Sequence, residues 1–105
     1  MEQERARIAI LHLLESACKR NAMYFNPVDG VAALNFVMGV MGAADALGVS
    51  LPREKRDQVI EQRGWQYRPV GLVAEMKERG MSDEAAADEI LAIEVETWRL
   101  CQSSG

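Results

Sequence analysis

Residues 26–48 read NPVDGVAALNFVMGVMGAADALG, and this stretch decides the fold. Asn26 suits a helix N-cap, Pro27 the first helical position, and Asp29 the positive end of the helix dipole. At the other end Gly48 is placed to stop the helix as its C′ residue. Gly30 to Ala44 carries no charge and is apolar nearly all round, so a second helix, enclosed on most sides at the centre of the fold, is expected here. The run is 15 residues long, short of the ~20 that span a bilayer. One row of this helix, Asn35, Gly39, Gly42 and Ala46, is small and lets another backbone come close. That backbone belongs either to this chain or to a second copy. Gly39 and Gly42 each cost about 1 kcal/mol of helix propensity against Ala, which close packing would offset.

Outward from this stretch the chain reads as helix on both sides. Residues 4–23 form an amphipathic helix with Ile10, Leu11, Leu14, Ala17 and Cys18 on one arc and His12 on the opposite one. A third helix is predicted from Pro52 to Arg63, ended by Gly64, and a fourth from Pro69 to Gly80. A fifth begins after Ser82 and runs to about Cys101, with a wide stripe from Ala86 to Leu100. Residues 102–105 are polar and should fray. About five helices and 105 residues fit one all-α domain, compact and unbroken over 1–105.

The net charge of −4 argues against a protein devoted to coating nucleic acid or an anionic membrane. Its distribution is uneven: residues 53–68 hold five basic groups against three acidic, and residues 69–105 hold three against eight. Residues 72–91 could be tried as a helix-turn-helix, but Asp83, Glu84, Asp88 and Glu89 would face the phosphates, so DNA binding is not expected. Cys18 and Cys101 sit in no CxxC or Cys/His cluster, and the start Met1-Glu-Gln-Glu-Arg lacks the form of a secretory signal. Free thiols in a reducing cytoplasm are the expectation.

Chemistry-bearing constellations are few. The single His12 has no carboxylate three or four residues away, and Asp45 stands alone near the end of the most apolar helix. Glu75 with Glu78, and Glu84 with Asp88, form carboxylate pairs that could hold Mg²⁺ against a pyrophosphate if the two helices lie side by side. A metal-dependent all-α nucleotide hydrolase is therefore the alternative reading. Glu94 falls inside the apolar arc of the last helix, where a carboxylate needs a cation; Arg56, Arg63 and Arg68 are the candidates. The connector Gly64-Trp65-Gln66-Tyr67-Arg68 concentrates residue types enriched at binding hot spots, although Trp65 and Tyr67 could equally fold down onto the core.

These features lead to a non-enzymatic, cytosolic protein-binding module that is expected to use Arg56, Arg63, Trp65, Tyr67 and Arg68 and to self-associate through Asn35, Gly39, Gly42 and Ala46. Its composition is like that of small acidic helical proteins such as bacterial immunity proteins, antitoxins and inhibitors. No cofactor is implied.

Overall fold

The computed structural model describes residues 2–66 and 71–103, with side chains as far as Cys101. Its helices are α1 (Glu2–Lys19), α2 (Asn21–Tyr24), α3 (Gly30–Ala46), α4 (Arg53–Gln62), α5 (Leu72–Glu78) and α6 (Asp83–Ser103), and the described residues contain no strand. The chain is all-α.

α6 is the axis of the molecule, with α1, α3, α4 and α5 all packed against it. Its buried residues include Ala87, Ile90, Leu91, Ile93, Val95 and Trp98, a stripe wide enough to receive neighbours on several sides. The expected central role of the apolar helix is thus taken by α6. α3 buries the face formed by Gly30, Ala33, Val37, Val40 and Ala44, half-buries Leu34, Phe36 and Met41 beside it, and leaves its opposite side exposed.

Local signals account for most helix ends. Asp29, rather than Asn26, caps α3: its carboxylate accepts the Ala32 N–H at 2.8 Å, and the helix begins one residue later. Gly48 and Gly64 follow α3 and α4 at φ of +73° and +89°, a conformation that disfavours a side chain. The predicted first helix breaks at Arg20, leaving α2 as a single separate turn. Cys18 lies on the arc expected to be buried but is exposed, while Cys101 is buried; neither is in a disulfide.

The core has two parts. One gathers Val59, Ile60, Trp65, Leu72, Met76 and Leu91 under α3, α4 and α5. The other joins α1 to α6 through Ile10, Leu11, Leu14, Val95 and Trp98, closed by Val40, Ala44 and Val49. No described helix is long and apolar enough to cross a membrane.

Candidate functional site

The basic third of the chain is used to hold the fold together. Arg56 on α4 donates Nε to Glu94 Oε1 at 2.8 Å and Nη2 to Oε2 at 2.7 Å, a bidentate pair across the α4–α6 boundary. Trp98, one turn further along α6, adds its indole N–H to Oε2 at 3.0 Å. Glu94 is almost wholly buried and therefore has the cation that its place in the apolar arc demands.

Arg63 at the end of α4 reaches α6 in the same way. Its Nε and Nη2 meet the two oxygens of Glu89 at 2.7 and 2.8 Å, and its Nη1 meets Glu96 at 2.7 Å. Glu89 also accepts the indole N–H of Trp65 at 2.8 Å. The Arg63 guanidinium beside it and this indole hold the Glu89 carboxyl below the usual carboxylate range, against the opposing effect of burial. The same hydrogen bonds push Arg63 upward.

Trp65 is buried, so the first anchor expected of a binding connector is a core residue. The Arg79 guanidinium covers its ring at 4.3 Å, and Arg79 is itself held by Glu75 at 2.8 Å. Glu75 further accepts the Gln66 N–H at 2.9 Å, fastening the start of the connector to α5. Indole and guanidinium groups bonded to neighbouring helices in this way brace the fold. Tyr67 and Arg68 lie outside the described residues.

The carboxylates of the metal reading are not brought together. Glu75 turns inward to the connector, whereas Glu78, Glu84 and Asp88 are exposed, with Asp88 accepting from the Asn21 side chain at 2.9 Å. Among the described residues no group of three or more His, Cys, Asp or Glu side chains is placed to hold a metal ion. The short α5 explains the difference, since its fourth residue is the one that must reach back to the connector. His12 is exposed, and Asp45 accepts a hydrogen bond from Ser50, closing the loop after α3.

Several features of the described residues are open to solvent, among them a pocket beside Gly64, Trp65 and Gln66. A half-open cavity of about 790 Å³ lies between α3, α4 and α6, with Leu34, Met38, Met41 and Ile60 on its apolar wall and the Arg56–Glu94 pair at its side. Beside it, the outer face of α3 is uncovered. Val31 and Met38 are each 58% exposed and Leu47 is 57% exposed. A Cβ added at Gly39 or Gly42 would meet no described atom within 4 Å, so these two glycines pack against no described residue of their own chain. The close intrachain approach occurs at Gly30 instead, where an added Cβ would come within 3.0 Å of Val73 and 3.2 Å of Ala86.

Spacing in the sequence marks part of this face, the row Asn35, Gly39, Gly42 and Ala46, but does not separate Val31 and Met38 from the rest, because a helix apolar all round has no stripe to distinguish its two sides. No protein family, curated protein or solved structure matches the chain.

Proposed function

We propose that this chain is a non-enzymatic protein-binding module whose working surface is the outer face of α3. The observation that carries the reading is an exposed helix face with large apolar side chains and no charge from Gly30 to Ala44. Water-facing apolar surface of this kind marks an interaction site in a folded protein. The braces described above move the proposed surface away from Arg56, Arg63 and Trp65, whose polar groups are already bonded within the fold. Two cysteines outside any disulfide, one of them exposed, suit action in a reducing cytoplasm. A role like that of an immunity protein, antitoxin or inhibitor agrees with the small size and the acidic charge.

A photo-crosslinking side chain placed at Met38 in the native host tests this. The expected result is a protein adduct from Met38 and none from Glu84, an exposed residue on the first turn of α6. Adducts from Glu84 alone, or from neither position, would overturn the reading.

A further inference from the structure

We infer that the occupant of the α3 face is a second copy of this chain, packed antiparallel about a two-fold axis between Met38 and Gly39. The inference rests on the reading of α3 as a protein-binding face. At about 100° per residue, Met38, Val31, Gly42, Asn35, Ala46 and Gly39 follow one another around α3 within a single arc about 100° wide. All six are exposed. They also fall into three pairs placed symmetrically along the helix: Met38 with Gly39, Asn35 with Gly42, and Val31 with Ala46. Each pair joins a larger residue to a smaller one.

An antiparallel copy turned about the point between Met38 and Gly39 sets the members of each pair opposite one another. Every larger side chain then meets a glycine or an alanine, so two backbones can approach without overpacking. A parallel copy does the reverse, setting Met38 against Met38 and leaving gaps at the glycines.

The symmetric pairing of larger with smaller residues favours a second copy, and the charge pattern is compatible with one. Residues near a two-fold axis meet their own counterparts, so a charged side chain there would repel itself. The strip has no charge, and its one hydrogen-bonding side chain is the Asn35 amide, which both donates and accepts. A glycine opposite Asn35 leaves backbone accessible to that amide. The association also gives a reason for Gly39 and Gly42, which no contact with a described residue supplies. A 17-residue helix is only about 25 Å long, and a single helix-on-helix contact falls short of the roughly 800 Å² per partner of a standard interface. The dimer is accordingly weak and reversible.

Disulfide trapping tests the register. Val31→Cys and Ala46→Cys, each in a Cys18→Ser background, are mixed and oxidised with copper phenanthroline. Both positions are exposed, and thermal melts monitored by circular dichroism establish that each variant folds. The mixture should give a linked dimer between positions 31 and 46, and neither variant should link to itself, because like positions stand roughly 20 Å apart along the helix. Self-linking of Val31→Cys would overturn the antiparallel register while leaving α3 a binding face. Sedimentation as a monomer up to about 1 mM, with no mixed disulfide, would overturn the second copy. In that case a foreign adduct from the crosslinker at Met38 would preserve the binding reading, and the absence of any adduct would remove both.

Discussion

Arg56 holds Glu94 through two parallel hydrogen bonds of 2.8 and 2.7 Å, joining residues 38 apart in the chain. The arginine side chain is 19% exposed and the carboxylate 2%, so the two partners are not equivalent. Removing Arg56 strands the deeper charge. Removing Glu94 leaves a guanidinium that water can still reach.

Arg56→Ala should therefore destabilise the protein by roughly 3–5 kcal/mol, the range for breaking a buried pair, and Glu94→Ala by less. Glu94→Gln should be milder again, since its amide oxygen can still accept from Arg56 or Trp98. The double change Arg56→Met with Glu94→Leu should cost less than Arg56→Ala, because no charge is left unpaired. Urea melts of the four variants check this order. Equal losses from Arg56→Ala and Glu94→Gln would mean that the pair contributes packing alone.

Glu89 carries the pH dependence at the other α4–α6 brace. Its folded carboxyl is held below the ordinary range by Arg63 and Trp65. Its stabilising contribution is complete above the unfolded value of about 4.3 and is lost as the pH falls through the lower folded value. Wild type should thus be more stable than Glu89→Gln at neutral pH, and the difference should shrink in increasingly acidic buffer. Chemical denaturation at a series of pH values measures it. A gap that stays constant down to pH ~2 would show that Glu89 acts only by hydrogen bonding.

Trp65 closes one end of the core and also donates to Glu89. Trp65→Ala should cost about 3–5 kcal/mol from the lost burial and the cavity left behind. Trp65→Phe keeps a ring under Arg79 and should cost distinctly less, with the loss coming mainly from the missing N–H. Arg79 is 44% exposed but pairs with the buried Glu75 carboxylate, so Arg79→Ala should cost more than the ~1 kcal/mol of the ring contact alone. Thermal unfolding followed by circular dichroism separates the three.

Gly39→Ala offers opposite signs for the monomer and for the dimer. No described atom would meet the new Cβ, so the monomer should gain up to about 1 kcal/mol of helix stability. In the antiparallel pair the same methyl faces Met38 and should weaken association. Gly39→Leu should weaken it further at little expense to the monomer. Melts in dilute solution and sedimentation in concentrated solution read the two effects independently. A monomer destabilised by Gly39→Ala would mean that the glycine is required within its own chain.

Short-range features were legible before the structure. Helix ends at Gly48 and Gly64 follow from backbone conformations that these residues adopt locally. The demand of Glu94 for a cation follows from its place among Ile90, Ile93 and Trp98, a relation confined to one helix. All-helical content likewise follows from periodicity and capping over a few residues at a time.

Only tertiary structure decided which arginine answers Glu94, since Arg56 and Arg63 both project from α4 toward α6 and the choice depends on how those helices cross. It also turned Trp65 inward, because Glu75, Arg79 and Glu89, distributed over α5 and α6, converge around the connector. Above all, it placed α6 at the centre and left α3 with one side bare. A helix apolar nearly all round has the same local preferences on every face. Which face is covered depends on which other elements have side chains large enough to reach it, and at Gly39 and Gly42 none of those described does.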